Sequence, residues 1–185
     1  MKSDKDVPMV KVEIENIVLN ISTNAPIVIL RDARGRVLPI VIGIFEAQAI
    51  LLVLEKTKFA RPLTHDLILN IFRELNAVIE KLEIHSLREN TYFADLVVRM
   101  DREMFRVDCR PSDGIALALR ASAPIFACEK LLEPAEIIRY YEGKEYVKSK
   151  DPERPIDQKE TEEFRKMLEK LNARDFWKQL KEDES

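Results

Sequence analysis

Six ionisable side chains stand in this chain where a charge is unfavourable unless it is paired or used. Glu46 is the only charge in IFEAQAILLVL (44–54), and His65 with Asp66 opens THDLILNIF (64–72). His85 lies in an alternating stretch, and Asp108 and Asp113 flank Arg110 in DCRPSDGIALALR (108–120). Four of the six are carboxylates. Carboxylate oxygens are hard ligands that suit magnesium or manganese, and a cation so held clamps a phosphate and activates water for in-line hydrolysis. Glu46, Asp66, Asp108 and Asp113 are the expected ligands. An imidazole such as that of His65 can take a proton from water or give one to a leaving oxygen. His65, Asp66, Asp108 and Asp113 are therefore the candidate catalytic groups of a metal-dependent phosphodiester hydrolase. The sharpest expectation is that these carboxylates converge with His65 on one cleft.

Each group also has a structural reading. Pro111 suits a first helical position, and Ser112 and Asp113 fall where free backbone N–H groups favour oxygen acceptors, so this stretch reads equally as a helix cap. His65 could make a hydrogen bond at a helix start, and His85, in phase with Ile79 and Lys81, suits a sheet face. Arg99, Arg102, Arg106 and Arg110 could gather on one sheet face to meet phosphates, or pair across strands with Asp95, Asp101, Glu103 and Asp108.

The elements that must position these groups follow from periodicity. Val10, Val12 and Ile14 alternate with charges, and the phase slips at Asn16, which predicts a bulged strand or two strands. Apolar runs at 23–30 and 36–42 flank the turn residues Asp32, Ala33, Arg34 and Gly35, a hairpin, with Arg31, Arg34 and Arg36 around its tip. Gly43 releases the chain into a largely apolar helix carrying Glu46. Thr64 is placed to cap a second helix, in which Leu67, Ile68, Ile71, Phe72 and Leu75 recur at helical spacing. The period then falls to two, predicting strands near 78–87, 91–99 and 104–109. A core helix follows from Pro111, with no polar face after its entrance, then a strand at 123–127 and a short helical piece around 133–141. The predicted fold is α+β, a mixed, largely antiparallel sheet with packed helices. The domain is expected over 1–147, a proline-bearing charged linker over 148–159, and a helical tail over 160–185 striped with Phe164, Met167, Leu168 and Leu171. That tail would dock on its own domain or recruit a protein partner.

Bulk charge narrows the function classes. With 33 acidic and 30 basic residues the formal net charge is −3, and residues 1–150 carry 22 of each sign, so no global positive field draws nucleic acid. Cys109 and Cys128 lack metal or redox spacing and read as buried thiols. No apolar run reaches a membrane span and the N-terminus lacks a signal-peptide core, so the expected location is the cytoplasm, without a membrane partner. Phosphate-cradling glycine loops, serine elbows and zinc-spaced histidine pairs are absent from the sequence. Long β runs and two apolar helices leave more apolar surface than one small sheet covers, which predicts a homo-oligomer.

Taken together, LPIVIGIFEAQAI (38–50), RPLTHDLI (61–68), HSLRENTYFADL (85–96) and DCRPSDGIALALR (108–120) resemble the bifunctional nuclease domain family, over roughly residues 9 to 132. FRKMLEKLNARDF (164–176) is similar to the tail of many bacterial members. The resemblance implies an α+β domain, an oligomeric state and cleavage of both DNA and RNA. It carries the family's polar motif onto Glu46, Arg61, Thr64, His65, Asp66, His85, Asp108, Arg110, Ser112 and Asp113, with Arg61, Thr64, His85, Arg110 and Ser112 on the substrate side. Gly114 departs from the family's usual alanine and is expected to loosen the helix start by some tenths of a kcal/mol, less than the ~1 of a helix interior. Two other readings remain: a non-catalytic nucleic-acid- or protein-binding regulatory module, and an enzyme acting on a small phosphorylated ligand.

Overall fold

The computed structural model describes residues 8–20, 25–57 and 59–135. The predicted linker and tail, and the helical piece from 136 on, lie outside the described residues. Within them, seven strands and three α-helices make an α+β fold. The strands are β1 (Met9–Leu19), β2 (Pro26–Asp32), β3 (Val37–Val41), β4 (Ala77–Arg88), β5 (Thr91–Met100), β6 (Glu103–Cys109) and β7 (Ile125–Cys128). The helices are α1 (Ile44–Leu54), α2 (Thr64–Glu74) and α3 (Pro111–Ala121). The sheet order is β3-β2-β1-β7-β4-β5-β6, and all neighbours are antiparallel except β4 and β7. The chain's last described strand thus sits in the middle. It joins an N-terminal three-stranded half to the β4–β6 meander.

Local chemistry explains the strand register. The slip read at Asn16 is a bulge between Ile14 and Asn16 within one continuous β1, and the Glu15 carboxylate there meets Arg31 at 2.6 Å. At the β2–β3 turn, the Asp32 carboxylate accepts the Arg34 and Arg36 backbone N–H groups at 2.9 and 2.8 Å, while Gly35 supplies the positive φ of 82° that the turn requires. Arg34 and Arg36 also bond Glu129. The tip arginines are thus tied into the fold. Pro39, which donates no backbone hydrogen bond, is accommodated because β3 is an edge strand. Ile27, Ile29 and Val37 form a buried cluster joined by Val18 and Ala135, so β2 is covered on both faces.

The helices share one face of the sheet. α3 packs on β4 and β5, α1 on β2 and α3, and α2 on α3 and β4, so α3 lies between the other two. Strand alternation directs Leu82, Ile84, Ala94, Leu96 and Val98 to this covered face, where all are buried. A second bulge, between Ile79 and Lys81, corrects the phase read from sequence: Ile79 is buried, while Lys81 stands on the opposite face, here called the open face. His85 falls at a third irregularity, between Ile84 and Ser86.

Candidate functional site at the helix ends

The site is built from the first turns of all three helices. α3 begins at Pro111 behind the extended residue Arg110, and no side chain caps it. Ser112 is buried. Gly114 is required by packing: a Cβ there would run into Leu82 and would stand 3.0 Å from the Cys109 sulphur. Its absence lets the α3 entrance press onto β4. In that position burial pushes the Cys109 thiol up to about 11, so it is protonated and inert at neutral pH. At α1, a Cβ on Gly43 would collide with the Glu46 carboxylate, so glycine lets Glu46 fold back along the helix entrance.

Arg110 is the hub. Its Nη1 lies 2.8 Å from Glu46 Oε1, and its Nε donates to Asp113 Oδ2 at 2.8 Å. The bonds to Asp113 first, and the nearby Glu46, hold its pKa above the ordinary value. Its side chain is nonetheless 67% exposed. The other oxygen of Asp113 lies 3.4 Å from His65 Nε2. Glu46, His65, Arg110 and Asp113 therefore form one connected group drawn from α1, α2 and the α3 entrance.

Asp66 belongs to an adjoining arm. Its Oδ2 accepts the Leu63 backbone N–H at 3.0 Å and so caps α2, the task assigned to Thr64 from sequence; Thr64 is instead the first helical residue. Its Oδ1 accepts from Arg120 Nε at 2.8 Å. Burial raises the Asp66 pKa, but the Arg120 bond and the Leu63 N–H outweigh it and hold the carboxyl below its usual range. Arg120, only 8% exposed, also donates to the Ala49 and Ala116 carbonyls, tying α1, α2 and α3 together. Sequence reasoning missed it. The signal was a lone arginine ending a helix otherwise apolar beyond its entrance.

The remaining candidates lie apart. Asp108 is exposed on the open face, opposite Asp95, while the Arg110–Asp113 pair is on the helix side. The expected convergence of Asp108 with the other carboxylates is not seen, because residues 108 and 109 point to opposite faces of β6. His85 Nε2 lies 3.7 Å from Asp95, and its Nδ1 is 3.0 Å from the Ser86 hydroxyl. Arg61 and Thr64 are exposed at the α2 entrance. Arg106 bonds Asp95 and Glu83, and Arg99 bonds Glu80, so cross-strand pairing, rather than a phosphate-facing row, describes these two arginines.

The carboxylates as placed do not fit a divalent cation. Arg110 takes up the near oxygens of Glu46 and Asp113, Arg120 and a backbone N–H take those of Asp66, and Asp108 is on the other face. Among the described residues no three His, Cys, Asp or Glu side chains are grouped as ligands. What the group can do unaided is attract a phosphate with Arg110 and exchange a proton at His65.

The sequence profile of the bifunctional nuclease domain matches residues 28–139, which span the site and all but the first strand of the sheet. The chain belongs to the bifunctional nuclease domain family. Two uncharacterised proteins from two strains of Mycobacterium tuberculosis are 37% identical to it over 154 residues, covering 83% of this chain and 89% of each relative. The bifunctional nuclease fold here has no described helix long and apolar enough to cross a membrane.

Proposed function

We propose that this chain hydrolyses phosphodiester bonds in DNA and RNA at the Glu46–His65–Arg110–Asp113 group. The observation that carries the reading is the His65–Asp113–Arg110 chain within a bifunctional nuclease domain, with an imidazole only 16% exposed beside an arginine 67% exposed. With the proton on Nε2 facing Asp113, Nδ1 is left to take a proton from the attacking water and return it to the leaving oxygen. Asp113 orients the ring. Arg110 draws in the phosphate and offsets the charge that develops on its oxygens. Glu46 fixes the guanidinium, and Asp66 with Arg120 sets the first turn of α2 that carries His65. Arg61 and Thr64, exposed at that entrance, are the adjoining contacts for the strand.

A second reading, a non-catalytic nucleic-acid-binding module, is favoured by the full arginine pairing of the carboxylates. One experiment separates the two. Purified chain is given single-stranded RNA and plasmid DNA with a chelator, with magnesium or with manganese, and His65→Ala and Asp113→Asn serve as controls against contaminating nuclease. Cleavage lost in both variants supports hydrolysis at this group. Binding without cleavage supports the second reading, and cleavage unchanged in both variants overturns the site. Cleavage only with added metal would mean that a cation enters with the substrate.

A further inference from the structure

In-line displacement at phosphorus has its attacking and leaving oxygens on opposite sides, so water is activated best by a cation or by an acid and a base set apart. The group at the helix ends offers one imidazole. Its carboxylates are engaged, since Arg110 holds Glu46 and Asp113, and Arg120 holds Asp66, each at 2.8 Å. The chain's other histidine, His85, stands on the open face of the sheet beside Asp95. His65 Nε2 lies 3.4 Å from Asp113, and its Nδ1 has no hydrogen-bond partner among the described residues. The α3 entrance, which no side chain caps, adds free N–H groups to the exposed Arg110 guanidinium, and both suit a phosphate. One proton carrier beside a phosphate clamp works best on a substrate that brings its own nucleophile. RNA brings one in its 2′-hydroxyl, and DNA does not.

We infer that RNA is the preferred substrate of this group and is cleaved by attack of its own 2′-hydroxyl, an inference that rests on the proposed cleavage at His65. The 2′-oxygen bonds to phosphorus and the bond from phosphorus to the 5′-oxygen breaks, leaving a 2′,3′-cyclic phosphate and a 5′-hydroxyl. The proton of the 2′-hydroxyl passes to His65 Nδ1 and is returned through solvent to the departing 5′-oxygen, so atoms and charge balance without a further reactant. Asp113 balances the imidazolium while it lasts, and Arg110 offsets the charge on the phosphate oxygens. Water then opens the cyclic ester in a second step: its oxygen bonds to phosphorus, and its proton goes by way of the same imidazole to the 2′-oxygen. An attached and well-placed hydroxyl acts at an effective concentration of roughly 10⁵–10⁸ M. DNA depends on a free water at the same imidazole. RNA is therefore cleaved at least about a hundredfold faster than DNA of the same sequence, a small part of that advantage.

The test gives the full chain, in the presence of a chelator, three single strands of one sequence: RNA, the same RNA with a single 2′-O-methyl group, and DNA. His65→Ala, purified in parallel, controls for contaminating ribonuclease. Expected are faster cleavage of RNA than of DNA, 5′-hydroxyl and 2′,3′-cyclic phosphate ends by mass spectrometry, and loss of the one cut on the 3′ side of the methylated residue. Cleavage through the methylated position, 5′-phosphate ends on the RNA, or equal rates on RNA and DNA overturn the inference and leave cleavage at His65 standing. The same holds if both strands are cut only once magnesium or manganese is added. No cleavage of any strand under either condition, or cleavage that persists in His65→Ala, overturns the proposed site and this inference with it.

Discussion

Two histidine–aspartate pairs occur on opposite faces of the same sheet, and they are held in place by different means. On the open face, His85 lies 3.7 Å from Asp95, and Asp95 shares Arg106 with Glu83, itself bonded to Lys81. These residues sit on β4, β5 and β6, and the sheet brings them together, Asp95 by register with Glu83 and His85 from the irregularity between Ile84 and Ser86. At the helix ends, His65 lies 3.4 Å from Asp113, 48 positions away, and its neighbour Asp66 bonds Arg120, 54 positions away. Nothing in a ladder of hydrogen bonds sets that geometry; the packing of α1, α2 and α3 does. A pair fixed by register is part of the sheet. A pair assembled by packing can be placed where a substrate enters.

The largest effect that could break this contrast is catalytic. His65→Ala is expected to reduce cleavage at least about a hundredfold, the low end for losing a positioned acid–base group, whereas His85→Ala should leave the rate nearly unchanged. Equal losses in rate assays of the two variants would erase the distinction. Next comes stability: Arg120→Ala removes the cation that faces Asp66 Oδ1 and two added donors to helix carbonyls, and should cost about 2 kcal/mol in urea unfolding, less than for a fully buried pair because Asp66 is 40% exposed. Arg106→Ala should cost about 1 kcal/mol, since Lys81 still faces Glu83. The reverse order would mean that register, not helix packing, carries the ionic stability.

Gly114→Ala sharpens the packing side. Better helix propensity contributes only some tenths of the ~1 kcal/mol of a helix interior at this first-turn position, but the collision with Leu82 costs roughly 1–3, so a net loss of about 1–2 kcal/mol is expected by denaturant titration. A gain would show that the α3 entrance can move off β4. The smallest effect is in pH. Burial raises the Glu83 pKa, but bonds from Lys81 and Arg106 outweigh it and leave the carboxyl below its usual range. The unfolded chain therefore takes up this proton first as pH falls, and the stability Glu83 supplies, complete above its unfolded value of about 4.3, is lost on descending through the lowered folded value. Unfolding midpoints of Glu83→Gln should fall less steeply than wild type in that window.

The same contrast explains what could be read from the residues. Period-two alternation exposes its own errors, so the bulge at Asn16 and the meander were legible to within a residue or two. The bulge before Lys81 was not, because Ile79 and Lys81 are two apart and alternation alone assigns them one face. Glu46 was legible as a candidate because it interrupts an apolar helix, and His65, Arg110 and Asp113 because polar residues crowd two helix entrances. Their company was not: which arginine meets which carboxylate depends on helix packing, and so Asp108, one residue from the helix side, was grouped with Asp113. The departure at Gly114 looked like a weak helix start. It is a close approach between α3 and β4, visible only once Leu82 is set against it.

The position of β7 bears on how the chain reaches this state. Because residues 125–128 fill the gap between β1 and β4, the sheet cannot close until almost everything before them has been made. During synthesis the N-terminal hairpin and the later meander form from local contacts, each holding an unsatisfied strand edge that awaits the same short segment. Met9 must then find Cys128 across 119 positions. Closure at that step is a late, long-range event. A nascent chain stalled before residue 125 would hold two half-sheets whose open edges can join one another, or a neighbouring chain, in the wrong order.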